Sequence, residues 1–282
     1  MSAAPVQQAG SPGLPRSVGA VRLAFLGVGE RAALADLHQR GCMKARLPKV
    51  YGDEPKTAVL INTAGGLTGG DRVSTEVTWG ADADACISTQ AAERIYRSTG
   101  DAAHITNTLN VAARASAEWL PQEMILFDQG RFLRRTAVHL QDDSRFLAVE
   151  SMVLGRKAMG ETVASGLIDD DWRIYRGTRL IYRDPFRLEG DLAAQIARPA
   201  VLDGAGAYAT ILAQVTDPKA MLDAVRDIAG TSGGASLMKG LVTGRLIAKD
   251  GDSLRDLIAR IIPVLRELAF GRAGRLPRVF QI

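Results

Sequence analysis

The sequence predicts a mainly β protein with a few α-helices, most of them near its C-terminal end. Short segments in which apolar and polar residues alternate recur at spacings of roughly ten to fifteen residues. Few helical patterns separate these segments, which favours an all-β body over a sheet with helices between its strands. The apolar period changes only towards the end of the chain, where residues recur at helical spacing.

Composition bounds the class of protein. The 282 residues carry 35 basic and 31 acidic side chains, a net charge of +4, so the balance of charges does not demand a nucleic acid. We expect residues 1–17, rich in Pro, Gly, Ala and Ser, to form a disordered tail and residues 18–282 to form one domain. No segment is apolar and long enough to cross a membrane, and two cysteines give no disulfide framework. We therefore expect a cytoplasmic protein.

The β body is expected over about residues 18–215. The pattern of residues 31–39 fits either a helical turn or a strand. Residues 47–51 are predicted to be extended, and Pro48 confines them to a strand edge or a loop. The predicted strands are, in order, 20–25, 58–61, 73–79, 85–90, 105–111, 115–120, 132–140, 145–154 and 172–182.

The C-terminal part, about residues 216–282, is expected to be helical. Asp217-Pro218 is typical of a helix start, and the apolar residues that follow lie on one helical face as far as Ile228. A longer amphipathic helix is predicted to begin from Asp252 or Ser253 as N-cap and to bend at Pro263. A basic tail follows it, which can be either solvated charge or a docking surface.

The segment from Asn62 to Asp71 contains two glycine pairs, Gly65-Gly66 and Gly69-Gly70, followed at once by a carboxylate. Strand patterns lie on both sides of it, so we predict that the glycines join strand to strand. A phosphate-binding P-loop is excluded, because Asp71-Arg72 occupy the Lys-Ser/Thr positions and no helix follows. The alternative is a bulged hairpin whose glycines serve only the turn.

Carboxylates in apolar surroundings are the second candidate feature. Glu150 lies within a strand that is apolar on both parities, and an isolated buried charge there is too costly, so it must be paired, protonated or bound to a cation. Pairing with Arg156 or another arginine and a role in metal traffic are equally open. Glu118 poses the same question, and Glu161 lies in a glycine-framed turn.

No residue pattern indicates covalent catalysis or a permanent metal site. The three histidines have no ligand spacing, and no Gly-x-Ser-x-Gly elbow is present. Hard oxygen ligands would hold a divalent ion weakly and release it. An alternative function is a small-molecule enzyme on a β scaffold that uses Asp71 and Glu150 as its acid–base pair.

Four blocks in order carry a resemblance to a known family. Asn62 to Asp71, with the pattern Asn-x-x-Gly-Gly-x-x-Gly-Gly-Asp, resembles the signature of the urease accessory protein UreD family, also called UreH. The other three blocks are Ser88 to Ser98, Glu118 to Phe127, and Glu150 to Glu161. The resemblance covers about residues 18–190.

The resemblance implies a helix-like stack of strands in two sheets and a non-enzymatic maturation factor. Members of the family bind apo-urease, recruit UreF and through it the GTPase UreG, and assist nickel insertion into urease. The resemblance further implies that no cofactor is bound permanently and that nickel passes transiently. The carboxylates expected on its route are Asp71, Glu150, Glu161 and Glu118, and the residues expected to pack or to contact partners are Asn62, Gly65, Gly66, Gly69, Gly70, Tyr96, Trp119 and Arg156.

Overall fold

The computed structural model describes residues 15–29, 31–156, 160–272 and 274–280. The prediction of a mainly β protein with its longest helix near the C-terminal end is confirmed. The elements of the described residues are, in chain order, β1 (Val18–Val28), β2 (Arg31–Gly41), β3 (Met43–Arg46), β4 (Lys56–Asn62), β5 (Arg72–Trp79), β6 (Asp84–Thr89), β7 (Glu93–Ile95), β8 (Ala103–Val111), β9 (Ser116–Trp119), β10 (Met124–Leu126), β11 (Arg131–Leu140), β12 (Arg145–Leu154), β13 (Ser165–Arg176), β14 (Arg179–Asp191), α1 (Leu192–Ile196), β15 (Ala207–Gln214), α2 (Pro218–Ala229), β16 (Gly233–Met238), β17 (Leu241–Ala248) and α3 (Gly251–Phe270).

The strands form two mixed sheets. Sheet A has the spatial order β14-β13-β11-β8-β5-β1-β2, and its five inner strands are parallel to one another. Sheet B has the order β16-β17-β15-β12-β9-β6-β4-β3, with β10 and β7 joined beside β12. Its strands β4, β6, β9 and β12 are parallel, while both ends of the sheet are antiparallel.

The chain passes back and forth between the two sheets as a β-solenoid of about four turns. Each turn takes one strand of sheet A, crosses to sheet B and returns, so strands in neighbouring turns pair in parallel. This confirms the helix-like stack of strands in two sheets. In the described part of the chain, four connections return from sheet B to sheet A, and we call the side on which they lie the return edge. Its described residues are 63–71, 90–102, 120–130, 155–156 and 160–164.

Two apolar cores hold the molecule together. The first fills the space between the sheets and includes Trp79 and Trp172, with the Trp79 Nε1 donating to the Ala85 carbonyl oxygen at 2.8 Å. The second lies between the outer face of sheet B and helices α2 and α3, where Leu147 of β12 packs with Ile261 of α3. Strand β12 is therefore covered on both faces, as its continuous apolar pattern predicts.

Both C-terminal helices begin at acidic caps. The Asp217 carboxylate accepts from the backbone N–H groups that open α2, as predicted from Asp217-Pro218. The predicted cap of α3 is wrong: Asp250 is the N-cap, and its carboxylate accepts from the Ser253 N–H at 2.8 Å. Helix α3 continues through Pro263. None of the helices in the described part of the chain combines the length and the hydrophobicity that spanning a bilayer requires.

Three segments show where the strand predictions were incomplete. Residues 31–39, left open between helix and strand, belong to β2. The single strand predicted over 172–182 is wrong, because a two-residue turn at Gly177 and Thr178 divides it into β13 and β14. The turn alone would reverse the parity of the residues that share a face, because Arg176 pairs with Arg179. The register shift after Ile174 restores it, so that Ile174 pairs with Tyr182 and alternation alone does not reveal the turn. The C-terminal part also contains the hairpin of β16 and β17.

The predicted tail and domain boundaries stay predictions. Residues 1–14 of the tail lie outside the described residues. Ser17, the last residue of the predicted tail, already pairs with the solenoid, because the Arg72 N–H donates to the Ser17 carbonyl oxygen at 2.9 Å.

Candidate functional site

The glycine-rich segment connects β4 of sheet B to β5 of sheet A, at the return edge. Gly65, Gly66 and Gly70 have φ values of 75°, 150° and 87°, a region that residues with a side chain rarely adopt. The prediction that the glycines join strand to strand is confirmed. The alternative of a bulged hairpin is wrong, because the two flanking strands belong to different sheets.

The same segment packs closely against the next turn of the solenoid. The Leu67 N–H donates to the Arg94 carbonyl oxygen at 2.7 Å, and the Tyr96 N–H donates to the Leu67 carbonyl oxygen at 2.8 Å. A Cβ atom at Gly69 would lie 2.3 Å from the Asp101 carbonyl oxygen. Gly69 is therefore required for close approach of two backbones, whereas Gly65 is required for its turn.

Asp71 closes this turn and fixes the start of the solenoid. Its side chain is buried, with one carboxylate oxygen accepting from the Thr68 N–H at 2.8 Å and the other from the Ser17 N–H at 2.7 Å. These contacts give Asp71 a structural role that the sequence-based argument did not include. Its place on the nickel route stays a prediction.

A strip of stacked side chains crosses the return edge. The Tyr96 hydroxyl donates to the Gly65 carbonyl oxygen at 3.1 Å, and its ring meets Phe127 edge-on at 5.0 Å between centroids. The Arg156 guanidinium lies 4.3 Å from the centre of the Phe127 ring and 2.9 Å from the Glu161 carboxylate. We call Tyr96, Phe127, Arg156 and Glu161 the edge strip. The hydrogen bond from Arg156 lowers the pKa of Glu161.

Glu150 faces the space between the two sheets and forms a buried triad. Its carboxylate lies 2.6 Å from the Arg134 guanidinium, which also binds the Asp170 carboxylate at 2.9 Å. The Trp119 Nε1 donates to Glu150 at 2.6 Å, and the Trp119 side chain is buried in the core. The alternative that Glu150 pairs with Arg156 or another arginine is confirmed: the partner is Arg134, whereas Arg156 pairs with Glu161 on the surface.

The triad holds two carboxylates and one guanidinium, so it carries one negative charge in excess. Its members are all buried, with side chains between 4% and 7% exposed. Burial raises the pKa of Glu150 against the attraction of Arg134, and the nearby Asp170 raises it further. Such a site favours a proton or a cation beside Glu150.

A cavity of about 80 Å³ adjoins the triad and is lined by Glu93, Trp119, Arg134 and Glu150 among its neighbours. This volume gives room for several water molecules. A second pocket, lined by Asn62 and by residues 90–94, shares Glu93 with the cavity. Glu93 therefore stands between the return edge and the interior.

Asn62 holds Glu93 in this position. Its Nδ2 donates to both carboxylate oxygens of Glu93, at 3.1 and 3.2 Å, while its Oδ1 accepts from the Ala64 N–H at 3.0 Å. Burial raises the pKa of Glu93, and the hydrogen bond from Asn62 opposes that rise. Asn62 thus joins the glycine-rich segment to a half-buried acid.

Glu118 lies on the opposite face of sheet B from Glu150. It pairs in register with Leu147 of the outer face, and its carboxylate lies 2.8 Å from the Arg266 guanidinium of α3. Arg272 contacts the same carboxylate, and Glu54 contacts Arg266. The surroundings of Glu118 are therefore those of a paired structural charge between sheet and helix.

The structure brings some predicted site residues together and separates others. Asn62, the glycine-rich segment and the edge strip share the return edge, Glu150 and Trp119 lie inside, and Glu118 lies beneath α3. In the described ranges, no three His, Cys, Asp or Glu side chains are grouped so that they could hold a metal ion.

The geometry does not support Asp71 and Glu150 as an acid–base pair. Backbone N–H groups occupy both oxygens of Asp71, and Glu150 is held by Arg134 inside a cavity whose lining does not include Asp71. The two carboxylates do not share a cleft, as that mechanism requires.

Sequence reasoning missed Glu93, Arg134 and Asp170 as members of the site. Glu93 lies within the block Ser88 to Ser98, and its alternation with Ile95 places both towards the interior. Arg134 and Asp170 share the parity of the buried residues around them on β11 and β13. Parity could have placed these charges inside, but only the solenoid pairing shows that they meet.

The chain was compared with known proteins. A model of the family described as UreD urease accessory protein matches residues 17–281. A protein of Rhizobium leguminosarum bv. viciae named urease accessory protein UreD is 46% identical over 89% of this chain and 90% of its own length. Proteins of the same name from Agrobacterium fabrum and Sinorhizobium medicae are 43% and 40% identical, over 95% of this chain and 92% and 96% of their own lengths.

Proposed function

The chain belongs to the UreD urease accessory protein family, and from this premise we propose that it is a scaffold that passes nickel during urease maturation. It is an accessory protein and not an enzyme. In this proposal it binds apo-urease and UreF, and through UreF the GTPase UreG. Nickel is its cargo and is held only in transit.

The excess negative charge in the interior is the observation that carries the nickel role. Glu150 and Asp170 share one guanidinium, that of Arg134, beside a cavity that contains room for water. A divalent cation in that cavity would be attracted by the uncompensated carboxylate and repelled by Arg134. The two effects together favour brief occupancy over permanent binding.

The ligand types agree with transfer. Carboxylate oxygens bind divalent ions reversibly, whereas thiolate cages hold them firmly. Glu93, bordering both the return-edge pocket and the inner cavity, provides a second carboxylate on a path towards Glu150. We place Asp71 beside the entrance to this path, because it closes the glycine-rich segment whose first residue, Asn62, holds Glu93.

The remaining predicted residues have other parts in the proposal. The edge strip offers an aromatic ring, a guanidinium and a carboxylate at the surface, with the Arg156 side chain 45% exposed. Tyrosine and arginine are enriched at protein interfaces, which supports partner contact by Tyr96 and Arg156. Trp119 packs inside. The cytoplasmic location stays a prediction.

Co-expression tests the scaffold role. The tagged full chain is produced with UreF, UreG and apo-urease, and the material that it retains is analysed together with the urease activity obtained after nickel is supplied. We expect UreF and apo-urease to co-purify with the chain and urease activation to depend on it. A well-behaved chain that binds neither protein would contradict the proposal.

A further inference from the structure

The outer face of sheet A carries a ladder of arginines where β11, β13 and β14 lie side by side. Alternation points these side chains away from the core, while their neighbours are buried on β11 and β13 and mostly half-buried on β14. We call the set the arginine ladder, and its members are Arg131, Arg135, Arg173, Arg183, Arg187, Asp169, Asp171 and Glu189.

Each aspartate of the ladder serves two arginines. Asp171 lies 2.8 Å from Arg173 and 2.9 Å from Arg183. Asp169 lies 2.7 Å from Arg135 and also contacts Arg187. Burial raises and the arginine contacts lower the pKa of each aspartate, with a net lowering. Both therefore stay ionised.

The ladder has five guanidiniums and three carboxylates, so two positive charges are in excess on one flat face. The aspartates are mostly buried, whereas the arginines that they hold are 42% to 51% exposed. The carboxylates thus position the guanidiniums but neutralise only part of their charge. A planar guanidinium held in place loses less entropy when it binds another carboxylate.

The same face continues into an aromatic pair. The rings of His139 and Tyr175 are stacked at 4.9 Å between centroids with an angle of 9°. Tyr175 lies near Arg173 and Arg183. The pKa of each guanidinium is raised mainly by Asp171, and Tyr175 adds to that rise. Arginine beside tyrosine is the composition that protein interfaces favour, and charge complementarity guides the approach of the partner.

We propose that the arginine ladder docks an acidic surface of a protein partner in the maturation assembly. The inference rests on the proposed scaffold function. It adds a docking surface on the outer face of sheet A to the two regions already described, the return edge and the interior. Carboxylates of the partner would bind across the guanidiniums of β14, the edge strand of sheet A. Binding at this face should weaken as salt is added, because the arginines are exposed.

The test variant carries Arg183→Gln and Arg187→Gln. It removes the two excess charges, yet Arg173 remains with Asp171 and Arg135 remains with Asp169. The matched control carries Arg22→Gln and Arg114→Gln, which removes two exposed arginines that are each paired one to one with an aspartate. Denaturation midpoints of both variants confirm that they fold.

Binding of each full-length variant to purified apo-urease and to purified UreF is measured over a range of salt concentrations. We expect the ladder variant to bind at least one of them about tenfold more weakly in about 50 mM salt, with a shallower salt dependence. The control should bind as the wild type does. Unchanged binding of the ladder variant to both proteins would overturn the inference while leaving the scaffold role intact.

Two further probes separate the possible failures. If the wild-type chain binds neither protein, the scaffold role is contradicted, and a poly-glutamate peptide then tests the ladder alone: it should bind the wild type and the control but not the ladder variant. Equal binding of this peptide to all three chains overturns the inference. Duplex DNA or anionic vesicles that bind through the ladder more tightly than the proteins do would also overturn it.

Discussion

Glu118 and Glu150 lie on paired strands of sheet B, yet their environments differ. Glu118 shares the outer face with Leu147 and is neutralised by arginines of the C-terminal part, whereas Glu150 faces the cavity and shares Arg134 with Asp170. In strands that are covered on both faces, both residues meet apolar neighbours. The roles that we propose, structural for Glu118 and nickel transport for Glu150, follow from the charges around each carboxylate.

Substitution of Glu118 tests its structural role. Glu118→Gln leaves Arg266 and Arg272 without their common buried partner, so the free energy of unfolding should fall by about 3–5 kcal/mol. Glu161→Gln breaks a pair whose arginine is 45% exposed and should change it by less than about 1 kcal/mol. Denaturant titration measures both values. Equal stability of the two variants would show that Glu118 is not a structural charge.

Among the elements, the glycine-rich segment determines how consecutive turns of the solenoid meet. Its backbone pairs with residues 94–96 of the next turn, and Asp71 ties it to Ser17 before β1. The segment therefore sets the position of Asn62, which in turn holds Glu93 at the cavity. A change at the backbone contact should propagate to the candidate site.

Gly69→Ala tests this close approach. Its Cβ would lie 2.3 Å from the Asp101 carbonyl oxygen, which cannot move as a side chain would. Overpacking of this kind typically costs about 1–3 kcal/mol, so the unfolding midpoint should fall clearly. Gly100→Ala is the matched control, since nothing lies within 4 Å of its added Cβ. If the two variants have the same unfolding midpoint, the two backbones are not in contact at Gly69.

At the scale of the whole molecule, local patterns predicted the strands but not their partners. Alternation placed most of β5, β8 and β11, and helical periodicity placed α2 and α3. Alternation did not find the turn at Gly177, because the register shift after Ile174 restores the parity that the two-residue turn reverses. The sequence suggested Arg156 or another arginine as the partner of Glu150 but could not say which one. The solenoid brings Arg134 of β11 to that position.

The three features to which we assign the proposed roles lie in different parts of the solenoid. The return edge presents the edge strip, the interior holds the acidic triad, and the outer face of sheet A presents the arginine ladder. We therefore expect substitutions to alter the proposed partner binding and the proposed nickel transfer independently. A variant of the interior should leave the docking surfaces unchanged.

Urease activation by the Glu150→Gln chain tests the central claim most directly. The substitution removes the excess charge while Arg134 keeps Asp170 as its partner, so the fold and the complex should persist. Glu76→Gln on the exposed face of β5 is the matched control. We predict that the complex with UreF and apo-urease still co-purifies, while the nickel content and activity of urease fall by about tenfold or more. Full activation by an intact Glu150→Gln complex would contradict the account.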